Sequence, residues 1–408
     1  MELMNQPFTG QLGNRLIELL ESPDFHTLKI FVAFAKNSGV LRVKKSLEKF
    51  RVRGGKVDVY VGVDLGVTTF EALTALLLCS DTLNVVHSEK GQTFHAKIYQ
   101  FLGNEKGLII VGSNNLTAGG LWTNYESSAI IPISSSRTED IEILRSQENY
   151  ILKLTSLEDC VMHIRSQEDV DNLLQNGYIF KEVTQQVRIA QANAVDGVRA
   201  RLFGNGTPNV LPRMDLSAEE TAMRTSGNST ATVQSPRDTT SRTLWLETRK
   251  LTGGSRNILD LSMKCLVEFG DPAGTSFDLG EPGYMRGAVE FFGINPSSTD
   301  VHKDITLNFE GVDYFNNTVL FPTGENANGT WRLQIKGIST SGDKITDAFR
   351  AKGQDHFLVE KLVTFTKIEE GYFFISVFPE SELESLKSAS QILARNGSSQ
   401  NAKQLGLL

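Results

Sequence analysis

The sequence is poor in cysteine and histidine, and it has neither a long apolar run nor an excess of positive charge. Its three cysteines, Cys79, Cys160 and Cys265, lie far apart and form no C-x-x-C pair. That spacing argues against the usual structural zinc site, and so sparse a set is typical of proteins in a reducing cytoplasm. We therefore predict a cytoplasmic protein without a metal site.

Two further absences bear on membranes and on bulk charge. No run reaches the roughly 18 apolar residues that a membrane-spanning helix needs, and residues 1–10 lack the basic and apolar regions of a signal peptide. The net charge is −7, which excludes a polybasic protein of the histone type but leaves room for a local basic surface that binds nucleic acid. Hydrophobic residues make up 40% of the chain, which is enough for a folded core. We expect a soluble protein with no membrane partner.

The pattern changes several times along the 408 residues, which predicts two or three domains. Residues 1–185 alternate between strand-like and helix-like segments, as in a sheet flanked by helices. Residues 186–240 become rich in Ser, Thr, Asn, Gly and Pro and are predicted to form a linker. Residues 241–385 contain short runs of β-branched and aromatic residues between turn residues, which favours an antiparallel barrel or sandwich. We expect residues 386–408 to form a polar tail.

The sharpest motif is His95-Ala-Lys97 on a predicted strand, Phe94–Phe101, followed after the next strand by Gly-Ser-Asn-Asn at 112–115. Side chains alternate along a strand, so His95 and Lys97 should point the same way. The imidazole could attack phosphorus, while the ammonium and an amide of the turn donate to the phosphate oxygens. An ordinary strand pair with a polar turn is the alternative explanation.

These motifs resemble the phospholipase D superfamily, whose signature is H-x-K, then G-S-x-N, then an acid. The phrase GSNNLTAGGLWTNYE is similar to the nuclease branch of that family, although Leu102 stands where many members carry Asp. The resemblance implies that His95 is the nucleophile, that Glu126 orients it, and that neither a metal nor another cofactor is needed. The implied catalytic residues are His95, Lys97, Ser113, Asn115 and Glu126.

Only one H-x-K occurs in the chain, because none of the other five histidines has a lysine two positions later. The chemistry of the family needs two histidines, one as nucleophile and one as general acid. Single-motif members obtain the second from a two-fold partner. The resemblance therefore implies a homodimer whose active site is shared at the interface.

Two loops in the second half, 248–257 and 323–332, concentrate polar and basic residues between strands. Residues 241–385 contain 14 Lys and Arg against 21 Asp and Glu, so this part cannot bind DNA through bulk charge. Arginine suits guanine, asparagine suits adenine, and lysine and serine suit phosphates. Solvated hairpin loops are the alternative, which we favour for the second loop taken alone. The predicted DNA-binding residues are Arg249, Lys250, Ser255, Arg256, Asn257, Asn326, Asn328 and Arg332.

Taken together, the domain order resembles the restriction endonucleases of the BfiI/NgoFVII type, whose C-terminal domain is B3-like. The resemblance implies an N-terminal α/β phospholipase-D-like sandwich and a C-terminal all-β B3-like pseudobarrel that together cut double-stranded DNA at specific sites. Some relatives work beside a separate ATP-dependent motor subunit, while this chain has no phosphate-binding loop of its own. Two alternatives remain: a phosphodiesterase acting on lipids or other small phosphodiesters, and a non-enzymatic DNA-binding or scaffold protein.

Overall fold

The computed structural model describes residues 1–157, 159–195, 210–214, 242–249, 256–324, 329–353 and 356–408. The chain divides into two compact units, one built on Met1–Gln185 and the other on Arg213–Leu408. In the described ranges no helix is both long and apolar enough to cross a membrane.

The first unit is a mixed sheet covered by helices, which confirms the α/β prediction for residues 1–185. Its eight strands are β1 (Glu2–Gln6), β2 (Thr27–Val32), β3 (Lys56–Gly62), β4 (Thr82–Val86), β5 (Lys97–Leu102), β6 (Lys106–Gly112), β7 (Glu126–Ser134) and β8 (Val161–Ile164). Its helices in the described ranges are α1 (Leu12–Glu21), α2 (Asn37–Val52), α3 (Phe70–Cys79), α4 (Thr138–Thr155), α5 (Gln167–Gln175) and α6 (Glu182–Val195), the last of which runs beyond the unit.

The strand order is β1-β7-β6-β5-β2-β3-β4-β8, with β2, β3 and β4 parallel and the outer pairs antiparallel. Parallel strands are covered on both faces, so they read as continuous apolar runs, and Leu28, Ile30 and Phe31 of β2 are all buried. Leu154 of α4 joins Phe31 and Tyr60 in one apolar cluster, so α4 covers that face of the sheet. The packing of helices on this sheet fixes the strand ends, where the polar residues of the predicted motifs lie.

The second unit is built around a sheet of eleven strands. They are β9 (Thr243–Glu247), β10 (Ile258–Leu261), β11 (Lys264–Phe269), β12 (Tyr284–Arg286), β13 (His302–Phe309), β14 (Val312–Leu320), β15 (Trp331–Gln334), β16 (Lys361–Glu369), β17 (Tyr372–Pro379), β18 (Ile392–Arg395) and β19 (Gln404–Leu407). Two helices accompany the sheet in the described ranges, α7 (Ile345–Gly353) and α8 (Leu383–Ala389).

The strand order in this sheet is β10-β15-β14-β13-β17-β16-β9-β19-β18-β11-β12. Strands β10 and β11 stand near opposite ends of that order, although only Ser262 and Met263 separate them in sequence. The sheet must therefore roll up, and strands from both ends contribute to one core that contains Leu259 and Met285. In the described part of the chain no ladder joins β10 to β12, so the predicted barrel is not closed.

The structure corrects three sequence expectations outside the first sheet. Residues 386–408 were expected to form a polar tail, but β18 and β19 belong to the sheet and β19 pairs with β9. Leu405 and Leu407 are buried there. Their burial comes from pairing with a strand that is distant in sequence, so the polar residues around them gave no sign of it. The predicted linker 186–240 begins inside α6; most of the rest of it lies outside the described residues. Within residues 241–385, where the sequence predicts strands, Ala288–Phe292 instead form a 3₁₀ turn.

Candidate active site

The motif residues of the first unit gather at one end of its sheet. Lys97, the first residue of β5, pairs with Val32, the last residue of β2. The end of β6 at Gly112 pairs with Ser128 near the start of β7. Because these strand ends are neighbours in the sheet, chain segments that are distant in sequence meet here. The predicted residues placed at this end are His95, Lys97, Ser113, Asn115 and Glu126.

His95 and Lys97 touch each other directly. The Lys97 ammonium Nζ lies 2.8 Å from His95 Nδ1 and donates to the His95 carbonyl oxygen at 2.9 Å. We predicted both residues on a strand, but β5 begins at Lys97 and His95 lies in the segment before it. The strand prediction was wrong there because the backbone N–H of Phe94 donates to the Asp64 carboxylate and does not join the sheet. The His95 ring is exposed, whereas Lys97 is buried.

Burial also changes the chemistry of Lys97. Removal from water disfavours the charged form and lowers the pKa of Lys97, and the nearby negative charge of Glu126 opposes this only in part. The result is an ammonium that gives up its proton at a lower pH than an exposed lysine. Burial also keeps the Lys97 ammonium in a poorly hydrated place, where a charged donor interacts strongly with an anion.

The two asparagines of the Gly-Ser-Asn-Asn turn have different roles in the structure. Asn114 is buried, and its amide donates to the Gly120 carbonyl at 2.7 Å while its oxygen accepts from the Ser128 hydroxyl. Asn115 instead accepts from the backbone N–H of Phe34 at 3.1 Å through its side-chain oxygen. This contact fixes the orientation of the Asn115 amide, whose nitrogen has no partner in the described residues and remains able to donate.

Phe34 was not predicted from the sequence, although it organises the site. Its backbone holds Asn115, and its ring meets the His95 ring edge-on at 6.0 Å between centroids. It lies two residues after the end of β2 and 81 residues before Asn115 in the chain. No local pattern in the sequence marks such a contact.

Glu126 is held by its neighbours in a way that differs from the family-based expectation. Its carboxylate accepts from the Ser113 hydroxyl and from the Asn124 amide, the latter at 3.2 Å. The expected contact between Glu126 and His95 is therefore not formed, because Lys97 occupies His95 Nδ1. Ser113 is in turn fixed by the backbone N–H of Ser127, which donates to its oxygen at 3.1 Å.

Two glycines let these segments approach closely. A Cβ on Gly112 would lie 2.0 Å from the Ser128 hydroxyl oxygen, and a Cβ on Gly120 would lie 2.4 Å from the Asn115 carbonyl oxygen. Any side chain at either position would displace the turn that carries Ser113 and Asn115. The glycines in GSNNLTAGG are thus required by packing at the site.

The predicted DNA-binding residues of the second unit are only partly described. Lys250, Ser255, Asn326 and Asn328 lie outside the described residues. Asn257 accepts from the backbone N–H of Ile335 through its main-chain oxygen at 2.9 Å, which ties the first loop to the segment after β15. Arg256 precedes it at the edge of the described range.

One acidic residue brings the two predicted loops together. Asp260 on β10 lies 3.8 Å from Arg249 and also 3.8 Å from Arg332, so one carboxylate restrains an arginine from each loop. The second arginine comes from β15, which pairs with β10 in a register that sets Asp260 opposite Arg332. The pairing of the two strands could not be read from the sequence, and neither could the role of Asp260.

No group of three or more His, Cys, Asp and Glu side chains that could hold a metal ion is found in the part of the chain that the structure describes. The donors at the candidate site are an ammonium, amides and a hydroxyl. Such a set suits an anion better than a cation.

Comparison with known proteins finds similarity among solved structures only. The sequence matches no protein-family model and no curated protein. Nuc from Salmonella typhimurium, described as a phospholipase D family member, is 13% identical at a TM-score of 0.31, with 40% of this chain and 97% of Nuc covered. NucT from Helicobacter pylori is 18% identical at 0.27, with 39% and 96% covered. Phosphatidylserine synthase from Haemophilus influenzae is 9% identical at 0.33, with 48% and 46% covered.

Proposed function

We propose that this protein is a site-specific endonuclease of the phospholipase D superfamily that hydrolyses DNA phosphodiester bonds without a metal ion. The observation that carries the proposal is the gathering of an exposed imidazole, a buried ammonium and an oriented amide at one end of the sheet. A nucleophile with cationic and amide donors beside it is what phosphoryl transfer requires.

The contact between Lys97 and His95 describes a resting state in this mechanism. With Lys97 charged, Nδ1 of His95 accepts its hydrogen bond, so the ring proton lies on Nε2 and that nitrogen cannot attack. An arriving phosphate competes for the ammonium and releases Nδ1. The ring proton can then move to Nδ1, which leaves a lone pair on Nε2. Substrate binding therefore activates the nucleophile.

The reaction proceeds in two steps, formation of a phosphohistidine and its hydrolysis. Nε2 of His95 forms a bond to phosphorus as the bond from phosphorus to the 3′ oxygen breaks, and His95 of the partner subunit donates a proton to that oxygen. The partner's His95 then takes a proton from water, which attacks phosphorus and breaks the phosphorus–nitrogen bond. Lys97 and Asn115 stabilise the oxygens in both steps, with Ser113 and Glu126 holding the site in place.

Exposed apolar side chains near the site support the homodimer. Phe8 and Tyr125 are stacked at 5.7 Å although each is more than three-quarters exposed, and Tyr125 adjoins Glu126. Leu3 and Val111 are also exposed and flank Ala129 from either side in the sheet register. Surface patches of this kind mark contact sites. A second copy placed here would bring its own His95 to the same end of the sheet.

We assign the recognition of a specific DNA sequence to the second unit. The pair of arginines on Asp260, one from each loop, supports contact of both loops with the same duplex. The resemblance implies that this unit is a B3-like DNA-binding domain. A separate ATP-dependent subunit is compatible with this arrangement. Whether cleavage requires such a subunit is tested by the activity of the isolated protein.

The test is cleavage of plasmid DNA by the purified protein in excess EDTA. Wild-type protein should give discrete fragments, and His95→Ala should give none. His26→Ala is the matched control, because His26 is an exposed histidine that precedes β2 at the opposite end of the sheet. Equal loss in both variants, or cleavage that EDTA abolishes, would contradict the mechanism.

The exposed apolar side chains of Leu3, Phe8, Val111 and Tyr125 also favour a second candidate, a phosphodiesterase acting at a lipid surface. That protein would bind vesicles of anionic phospholipid through Phe8 and Tyr125 and would release a lipid headgroup. Duplex DNA binding without vesicle binding supports the endonuclease. Vesicle binding that Phe8→Ser removes, with no affinity for DNA, supports the lipid enzyme.

A further inference from the structure

Two polar groups beside the site, the buried Asp64 and the half-buried His87, have no part in the mechanism above. Asp64 follows β3, and both of its carboxylate oxygens are occupied. One oxygen lies 2.7 Å from Nδ1 of His87, which follows β4, and the other accepts the backbone N–H of Phe94 at 2.9 Å. Phe94 is the residue directly before His95. One carboxylate thus joins two strand ends to the segment that carries the nucleophile.

The segment that Asp64 holds has few other anchors. Between β4 and β5 the chain forms no helix or strand, and residues 91–93 are exposed. The Phe94 ring lies in the apolar cluster with Phe31 and Tyr60. Gly62 allows the close approach, since a Cβ there would lie 3.1 Å from the Phe94 carbonyl oxygen. The contacts of Phe94, together with the hydrogen bond from Lys97 to the His95 carbonyl oxygen, therefore set the position of His95 before β5.

The turn that presents Asp64 has an unusual backbone conformation and is fixed by hydrogen bonds. Leu65 adopts a φ of +59°, a left-handed conformation that is unfavourable for a non-glycine residue, and its side chain is 83% exposed. The Thr68 hydroxyl secures the same turn, because it donates to the Gly62 carbonyl at 2.6 Å and accepts from the Ala35 N–H at 3.2 Å.

His87 is equally well fixed as the partner of Asp64. Its backbone N–H donates to the Cys160 carbonyl at 2.9 Å, and its ring meets the Tyr178 ring edge-on at 5.3 Å. Its Nε2 lies 3.8 Å from Glu89, whose carboxylate accepts from the Tyr178 hydroxyl. Since Nδ1 faces a carboxylate, that nitrogen carries a proton and donates.

We propose that Asp64 and His87 are positioning residues of the active site: His87 orients the Asp64 carboxylate, and that carboxylate fixes Phe94 and with it His95. This inference rests on the proposed function for its kinetic consequence. It adds residues that neither the motif nor the resemblance includes. A small displacement of a nucleophile is enough to lose much of the rate, which is why such a support is needed.

The experiment compares Asp64→Ala, Asp64→Asn, His87→Leu and His87→Asn in hydrolysis of bis(4-nitrophenyl) phosphate and of plasmid DNA. Asp64→Ala should lower kcat roughly 100-fold, the scale of a 1 Å misplacement, and leave KM within about two-fold. Asp64→Asn retains an acceptor for the Phe94 N–H and should recover much of that loss. His87→Leu should lower kcat about ten-fold, and His87→Asn should restore it because its amide can donate as Nδ1 does.

The control is Asp58→Ala, which removes a carboxylate at the other end of the same strand, where it accepts from Thr82. Its kinetics should equal those of wild type. Hydrogen exchange of the peptide covering 88–96 should accelerate in Asp64→Ala but not in Asp58→Ala. A wild-type kcat in Asp64→Ala, or equal damage from His87→Leu and His87→Asn, overturns the inference.

The exchange measurement also separates this inference from the proposed function. If wild-type protein cleaves no phosphodiester, the proposed function fails. The exchange rates, together with the rate at which diethyl pyrocarbonate modifies His95 in each variant, then decide the positioning role. Unchanged exchange and modification in Asp64→Ala would refute it, and faster rates in that variant alone would support it.

Discussion

The side chains of the candidate active site in the first unit and those of the two predicted DNA-binding loops in the second are fixed in different ways. At the first, side chains are fixed by hydrogen bonds of ordinary length, such as those from Lys97 to His95 and from Phe34 to Asn115. In the second, two long side chains approach a shared carboxylate at 3.8 Å, beyond hydrogen-bond distance.

The difference follows from what each part is proposed to do. A reacting phosphate must be met within a fraction of an ångström, so the groups that act on it are set before it arrives. Groups that read a duplex must reach bases and phosphates after docking, and flexible arginines suit that task. Substitutions in the first unit should therefore change rates, and substitutions in the second should change affinity.

After the complete loss of cleavage expected for His95→Ala, the largest effect is expected at Lys97. Lys97→Met removes the buried cation from the phosphate oxygens and should lower kcat by about 10²–10³, as the loss of one strong oxyanion donor does. Binding of DNA should weaken far less. The measurement is single-turnover cleavage beside a binding titration. Lys106→Met, which removes an exposed lysine paired with Asp24 at the far end of the sheet, should change neither.

The same residue sets the direction of the pH dependence. In the proposed mechanism Lys97 acts as an ammonium, which exists below the pKa of Lys97, and burial lowers that pKa. Activity should therefore fall on the alkaline side before an ordinary lysine, with a pKa of about 10.4, would lose its proton. Lys97→Arg stays charged throughout, so its weaker activity should persist to higher pH. An identical alkaline limb in both proteins would assign that limb to another group.

A smaller effect is expected at Ser113, which acts through Glu126. Ser113→Ala removes a hydrogen bond to a charged group, about 1.5–3 kcal/mol, and should lower kcat by roughly 10- to 100-fold. The double variant with Glu126→Gln should be little worse than Glu126→Gln alone, since both changes break the same contact. Ser127→Ala is the control, because its hydroxyl donates to Asn5 instead. Additive losses would show that Ser113 acts independently.

The same contrast explains which features could be predicted from the sequence. The alternation of strands and helices in residues 1–185 follows from local periodicity, and it was confirmed. The structure places His95, Lys97 and the Gly-Ser-Asn-Asn turn close together because strand ends that adjoin in a sheet bring their motifs with them. Their catalytic roles stay predictions.

Other features depend on contacts between distant segments. The hydrogen bond between Phe34 and Asn115 spans 81 residues, and Asp64 supports Phe94 across 30. Strand β19 is a run of four residues whose partner β9 lies more than 150 residues away. No local pattern carries such information, so the sequence suggested a strand at His95 and a polar tail at 386–408.

The smallest predicted effect, at Asp260, tests the second half of the comparison. Its carboxylate restrains Arg249 and Arg332 through partly exposed ion pairs, each worth about 0.2–1 kcal/mol. Asp260→Asn should release both arginines and tighten binding to any duplex about two- to five-fold, with a steeper loss of affinity as salt rises. The excess affinity for a cognate site should shrink, since the freed side chains contact phosphates of every sequence. Fluorescence anisotropy across a salt series measures both quantities, with Asp304→Asn as a control of equal charge change on β13, where Asp304 accepts from Thr318. If both variants tighten binding equally, bulk charge rather than the release of two arginines governs this surface.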